Sequence, residues 1–269
     1  MVDYQKNTSG GRDITLGLGS VVEHLPRFRE IDFTRMEIYI DIALADPDEG
    51  KYIADFACLA ERHGIELYSI HVPYKADISV MDGTARRSAV DGIKRTIELL
   101  AEARAGYFVV HPGSLVGKDD KEARIEKSVE SLAMLADFVR GTDARLAVEN
   151  MLPDHVGAGA IELAAIMARL PAEVGVCLDS GHAFITDGSP AKAMRVLGKR
   201  LLTLHVHDND GKSDLHQMPG EGGINWREYI DALVASGFQG VFMLETGGKR
   251  RTADVLNYTG IFCGQNLPV

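Results

Sequence analysis

Cysteine is scarce in this chain. Only Cys58, Cys177 and Cys263 occur among 269 residues, an odd number without metal or redox spacing, which excludes a disulfide scaffold and a thiolate redox motif. They read as ordinary thiols of a reducing compartment. Long apolar runs are missing as well. None approaches the ~20 residues that cross a bilayer, and the polar start MVDYQKNTSGG has no signal-peptide core. Positive charge is in deficit, with 29 Lys and Arg against 39 Asp and Glu, a net charge of −10 and a pI near 5.4. General binding to nucleic acid or to an anionic membrane needs clustered positive charge and is disfavoured. Linkers and low-complexity segments are absent too. The expectation is a cytoplasmic protein with a frayed tail over residues 1–12 and a single domain over 13–269.

What is present is an ordinary globular composition, 45% hydrophobic and 25% charged. A chain this long buries roughly three quarters of its unfolded surface. Short β-rich runs alternate with longer helical patterns. Strands are expected at 14–20, 33–40, 67–73, 107–113, 145–150, 174–180, 201–208 and 240–246, several of them nearly continuous apolar runs, as in parallel strands covered on both faces. Helices are expected at 49–63, 84–104, 120–140, 160–170, 190–199 and 225–236. Their stripes are clearest at Ala85, Ala89, Ile93, Ile97, Leu100 and Ala103, and again from Ile125 to Val139. Gly64, Gly106, Gly141 and Gly237 fall where C-caps belong. Eight strands alternating with helices point to an α/β fold, the single-domain (β/α)8 TIM barrel, with an open doubly wound sheet as the structural alternative.

From the third strand onward, each strand ends in a residue that metals favour: His71, His111, Glu149, Asp179, His205 with His207, and Glu245. In a barrel the strand C-termini form one rim, so residues far apart in sequence meet there. Glu149, Asp179, His205 and Glu245 form a mixed carboxylate and imidazole set that suits Mn, Co, Mg, Fe or Zn. The bland alternative makes each acid a helix cap or a rim ion pair. Four unpaired charges facing one small space would repel, which favours a cation among them. His205 and His207 are two residues apart and project the same way from a strand; His205 is taken as the ligand from motif register.

The runs HVPY, HPGS, VEN, CLDSGHAF, HVHDNDGKSDLHQMPGEGGINW and LET resemble the xylose-isomerase-like TIM-barrel superfamily, which holds sugar-phosphate isomerases and epimerases together with endonuclease IV. The resemblance covers roughly residues 67–248, while GLGS and EIYID in the first two strands agree only loosely. In the sugar branch it implies one divalent metal on Glu149, Asp179, His205 and Glu245, no organic cofactor, and the two glutamates as acid and base on opposite faces of the substrate. It also implies that His182 touches substrate oxygens. His71 and His111 either bind substrate hydroxyls or ligate a second metal with Glu149. Asp214 and His216, with His182, would make a third metal site, and the full set of nine matches endonuclease IV.

Against the nuclease stand the acidic charge, a first loop SVVEHLP without a basic or intercalating element, and His207 followed by Asp208 and Asp210, as in loops that meet a polyol. The expected function is therefore a divalent-metal-dependent isomerase or epimerase acting on a ketose, ketopolyol or sugar phosphate through an enediolate. The alternative is a multi-zinc phosphodiesterase acting on abasic DNA, and a non-catalytic barrel is a third class. Expected substrate contacts are His71, His111, His182, His207 and Lys212. Lys212 would join Lys249, Arg250 and Arg251 in a phosphate-binding cluster, with surface solvation as its plain alternative. Trp226 is read as packing, after a GEGG turn. The partner is a small sugar or sugar phosphate, with no membrane, nucleic acid disfavoured, and a homo-oligomer left open.

Overall fold

The computed structural model describes residues 2–4, 34–40 and 45–246. Seven parallel strands run in sequence order: β1 (Val2–Tyr4), β2 (Arg35–Ile40), β3 (Glu66–His71), β4 (Tyr107–Val110), β5 (Arg145–Glu149), β6 (Gly175–Asp179) and β7 (Leu201–His205). An eighth position follows, where Leu244 bridges Val206 in parallel. Its ladder bonds run from Val206 N to Met243 O (2.8 Å) and from Glu245 N to Val206 O (3.0 Å). This is the strand order of a TIM barrel, one domain with helices outside. The expected strand over 240–246 is thus reduced to a bridge, and the one over 14–20 lies outside the described residues. Within the tail expected to be frayed, Val2–Tyr4 pairs with Ile38–Ile40.

The helices are α1 (Pro47–Arg62), α2 (Gly83–Leu99), α3 (Lys121–Val139), α4 (Gly159–Met167), α5 (Ser180–Asp187), α6 (Pro190–Leu197) and α7 (Trp226–Ser236). Side-chain N-caps start most of them, including Asp46, Asp82, Asp120, Ser189 and Asn225. Helix α5 was not expected: SGHAFITD follows β6 without a loop, and Asp179 caps it. Gly64 and Gly237 take the left-handed conformation of a C-cap, whereas Gly106 and Gly141 do not. After α2 a short 3-10 turn intervenes and Arg104 takes the left-handed position (φ 55°). After α3 the chain leaves through Arg140 in helical conformation. In the α2 stripe Ala85 is exposed and Val90 is buried, while Ile93, Ile97, Leu100 and Ala103 face the core as expected. Among the described residues, no helix is long and apolar enough to cross a membrane.

Strand alternation sorts the core into two layers. Phe108, Val110, Leu146, Val148, Val176 and Leu178 pack outward under the helices, in the large cluster. Val109, Ala147 and Cys177 pack separately, with Leu202 and Tyr107, inside the barrel. With a period of two, Glu149 follows Ala147 and Asp179 follows Cys177 on the inner face. Two register shifts complete the arrangement. In the β2–β3 ladder Met36 opposes Leu67 but Glu37 opposes Ser69, so Tyr68 is an extra residue. In the β6–β7 ladder Val176 opposes Leu201 but Cys177 opposes Thr203, so Leu202 is extra. Bulges of this kind re-aim side chains beside active sites. The two extra residues touch: the Tyr68 hydroxyl donates to the Leu202 carbonyl at 3.3 Å. Past the bulges, Ser69, His71, Thr203 and His205 face inward.

Candidate metal centre

Residues that follow the strand-end ligands brace the neighbouring strand. The Asn150 side chain accepts from Asp179 N (2.7 Å) and donates to Asp179 O (3.0 Å), holding that peptide from both sides. One strand further on, Ser180 Oγ donates to His207 O (2.7 Å) and accepts from His207 N (3.0 Å). Asp179 Oδ1 also accepts from His182 N at 2.6 Å, capping α5. Helix start, strand end and side-chain position are therefore one unit. Gly181 is required here, because a Cβ would stand 1.9 Å from His207 Cε1.

Glu149, Asp179, His205 and Glu245 bring one donor atom each to within 4.8 Å of one another. His205 is fully buried and Glu149 nearly so. His205 Nδ1 lies 3.0 Å from Glu149 Oε1 and 2.9 Å from Glu245 Oε2. A ring nitrogen carries at most one proton, so only one of two acceptors at that range can receive it. The bond is made to Glu149, and Glu245 Oε2 is left buried with no hydrogen-bond partner. An orphaned buried carboxylate oxygen in a set of hard oxygen and imidazole donors fits a divalent cation.

The outer histidines share one pattern. His71 Nδ1 donates to Val72 O (2.8 Å) and turns Nε2 to Glu149 Oε2 (3.0 Å). His182 Nδ1 donates to Asn150 O (2.8 Å) and turns Nε2 toward Asp214 Oδ2 (3.5 Å). His216 Nδ1 donates to Glu245 O (3.0 Å), with Nε2 at 3.0 Å from Asp214 Oδ2. Each ring is anchored through one nitrogen on a backbone carbonyl, and its other nitrogen faces a carboxylate that needs a proton or a cation between them. His111 Nε2 joins Glu149 Oε2 at 3.2 Å. His207 is buried, sets Nε2 at 3.1 Å from Asp179 and stacks on His216 with ring centroids 4.1 Å apart. It braces Asp179 and neighbours Asp214, and it lies close enough to Asp179 and His182, and to Asp214 and His216, for either group to hold a metal ion.

Charge at the centre is mutually maintained. Burial pushes the Glu149 carboxyl up, but the charge of His205 and hydrogen bonds from His111, His205 and His71 hold it well below the usual carboxylate range. Burial opposes ionised Asp179 too, yet His182 and His207 hold it at about 2. Burial would lower His205, and the surrounding Cys177, Glu245, Glu37 and Glu149 drive it well above its ordinary value. His182 rises well above as well, against burial, through Asp179 and Asp214. His216 reaches about 10, burial being outweighed by Asp214 and Glu245. His111 alone among these goes down, because burial dominates.

Over the rim lies the segment after β7, organised by Asp208. Its Oδ1 accepts from Asn209 N (2.9 Å) and Ile224 N (3.1 Å), and its Oδ2 from Gly220 N (2.9 Å) and Trp226 Nε1 (2.8 Å). Asp210 caps the backbone of Lys212 and Ser213. Asp208 is thus fully engaged by the segment itself, while Asp210 is exposed. Trp226 packs with Tyr229 and Phe242. Lys212 is exposed, and among the described residues no side-chain contact ties it to the centre; Lys249, Arg250 and Arg251 lie outside those residues. Sequence reading missed Glu37, Asn150, Ser180 and the role of Asp208. Glu37 could have been found as the one charge in the otherwise apolar run MEIYI. The other three sit inside quoted motifs but show their bonds only in three dimensions.

A family model described as xylose isomerase-like TIM barrel matches residues 25–259. Fructoselysine 3-epimerase of Shigella flexneri is 26% identical over 178 residues, 64% of this chain and 63% of that protein's length. A probable endonuclease 4 of Heliobacterium modesticaldum is 31% identical over 206 residues, 71% of each chain. The crystal structure of a D-tagatose 3-epimerase-like protein superposes with a TM-score of 0.74 at 23% identity, covering 91% of this chain and 96% of that one. At that identity the structural likeness carries the fold alone.

Proposed function

Because the chain belongs to the xylose isomerase-like TIM-barrel family, we propose that it is a divalent-metal-dependent isomerase or epimerase of a ketose, ketopolyol or sugar phosphate. The observation that carries this reading is the pair of glutamates converging on one imidazole nitrogen, Glu149 from strand position five and Glu245 from position eight. Glu149, Asp179, His205 and Glu245 would hold the metal. When bound, it supplies positive charge that offsets the negative charge developing on a substrate carbonyl oxygen. Glu149 and Glu245 serve as base and acid: one takes the proton from the carbon beside the carbonyl, giving an enediolate, and the other returns a proton. Return to the opposite face of the same carbon is epimerisation, and return to the neighbouring carbon is isomerisation. The likeness to fructoselysine 3-epimerase supports this class of chemistry. Partial exposure of His111 and Glu245, with their side chains 18% and 13% accessible, leaves an approach from the rim.

The test is deuterium exchange from solvent into a panel of ketoses and their phosphates, followed by NMR in the presence of manganese, cobalt or magnesium. Exchange at one carbon is expected, falling by about 10²–10⁴-fold in Glu149→Gln and Glu245→Gln while circular dichroism stays unchanged. Near-normal exchange in either variant would remove that residue from the acid/base pair.

A second reading has its own observation. His71, His182 and His216 are each anchored through Nδ1 on a backbone carbonyl with Nε2 toward a carboxylate, a geometry that supports a ligand role over that of free donors to sugar hydroxyls. That favours further metals and a multi-zinc phosphodiesterase, in keeping with the endonuclease 4 likeness. Close to three zinc ions per purified chain together with nicking of abasic DNA would establish it. One metal per chain and intact DNA would leave the isomerase reading.

A further inference from the structure

Glu37 stands in the middle of the barrel, fully buried, on β2, a strand that supplies none of the residues assigned above. A lone ionisable side chain in that position is costly unless a charge or hydrogen bond meets each oxygen. Ser69 Oγ meets one, donating to Glu37 Oε2 at 2.6 Å. The register shift in the β2–β3 ladder is what sets Ser69 opposite Glu37. The other oxygen, Oε1, lies 3.0 Å from His205 Nε2. The contact is an ion pair rather than a hydrogen bond, and neither atom has a hydrogen-bond partner. His205 is thereby held between two sets of carboxylates, with Glu149 and Glu245 at Nδ1 and Glu37 at Nε2.

We infer that Glu37 is a positioning residue, which keeps the proton of His205 on Nε2 and so presents the Nδ1 lone pair to the cation site formed with Glu149, Asp179 and Glu245. The inference rests on the metal-dependent reading above. Nothing about packing alone requires the arrangement, since an aliphatic side chain would fill the same volume without a buried charge. A carboxylate behind a metal-bound imidazole fixes the tautomer and ring angle and raises the basicity of the ligand. Ser69 in turn fixes the carboxylate, so the relay runs Ser69, Glu37, His205.

The experiment uses the full chain stripped of metal with a chelator. Calorimetric titration with manganese and with cobalt gives the dissociation constant, the cobalt visible spectrum reports the ligand field, and a melt without metal reports the fold. Glu37→Gln is expected to raise the dissociation constant by about 10- to 100-fold and to shift the cobalt bands, with a metal-free melting temperature no lower than that of the parent. Glu37→Asp, which retains the charge but shortens the reach, is expected to weaken binding as well. Ser69→Ala, a milder change that only frees the carboxylate, is expected to weaken it by a smaller factor. Binding by Glu37→Gln within threefold of the parent overturns the inference and leaves the metal reading standing. So does a loss of affinity matched by a fall in the metal-free melting temperature in both Glu37→Gln and Ser69→Ala. A parent chain that takes up neither metal overturns both.

Discussion

Replacing Asp208 by Asn tests whether one carboxylate holds the segment that carries Asp214 and His216. Two donors reach each of its oxygens, and the chain wraps so closely that a Cβ on Gly222 would lie 2.3 Å from Oδ1. Asparagine is nearly isosteric but keeps one acceptor oxygen and turns an NH2 group toward the other pair of donors. If the oxygen stays with Asn209 and Ile224, Gly220 N and Trp226 Nε1 lose their acceptor. Gly220 is exposed and water can serve its amide. Trp226 is 7% exposed, and its indole N–H has no substitute at hand. Bonds to a charged group contribute about 1.5–3 kcal/mol, and a buried donor left unmet costs about 1–3 kcal/mol. The expected loss of stability is therefore about 2–4 kcal/mol.

Local strain adds to the effect. His216 sits at φ 46°, unusual for a residue with a side chain, and is kept there beside a two-bond bridge between Asp208 and Gln217. Trp226 is the only tryptophan of the chain, so its emission reports this segment without interference. Urea unfolding followed by fluorescence and by far-ultraviolet circular dichroism is the assay. A lower midpoint and a red-shifted native emission are expected. A change under about 0.5 kcal/mol with unaltered native emission would refute the view that Asp208 organises the segment.

Two further outcomes follow from the same geometry. Gly181→Ala places a methyl 1.9 Å from His207 Cε1, and an overpacked buried contact of this kind costs about 1–3 kcal/mol; a melting temperature equal to the parent's would show that His207 is free to move. For the metal-free chain, His216 is raised to about 10, so its contribution is complete below the ordinary histidine value of about 6.5 and is lost as pH rises toward 10. Asp179 is depressed to about 2, so its contribution is complete above about 3.9 and is lost as pH falls toward 2. Melting temperatures recorded against pH should therefore peak between about 4 and 6.5 and decline on the alkaline side, and a flat alkaline limb would contradict the His216–Asp214 pairing.

The legible part of this molecule was its repeat. Ligand-type residues at the ends of successive apolar runs identify a rim, and β5 and β6 alternate cleanly, so Glu149 and Asp179 could be placed on the inner face from period alone. Elsewhere the pattern is broken by one residue. Leu67 and Ile70 both face outward although three positions separate them, because Tyr68 is inserted; no alternation rule applied to LYSIH foresees that. Leu202 does the same in LLTLH. Both bulges lie below residues that the centre needs, so the register errors they invite fall on His71 and His205. Helix α5 was missed for a related reason. A strand that ends in Asp179 and a helix that begins at Ser180 share their boundary, leaving no loop residues to mark it.

Net charge is the feature that reads differently once the site is in view. The chain carries −10, yet the centre is not simply acidic. Glu37, Glu149, Asp179, Asp214 and Glu245 bring five carboxylates together. Facing them are five imidazoles raised above their ordinary value: those of His71, His182, His205, His207 and His216. Protons on the rings driven furthest up, those of His182, His205 and His216, offset part of that negative charge without any metal. A dication entering such a site cannot simply add its charge, because the ligating nitrogens must first be deprotonated. The first metal bound near pH 7 is accordingly expected to release about one proton, that of His205, the only imidazole among its four proposed ligands. Calorimetric titration in two buffers of different ionisation enthalpy measures that number directly. A release near zero would mean that the imidazoles are already neutral, and the mutual stabilisation of carboxylates and histidines argued for the centre would then be wrong. A continued release with a second and third equivalent of zinc would show His182 and His216 giving up their protons in turn, the behaviour expected of rings whose second nitrogen is already anchored on a carbonyl.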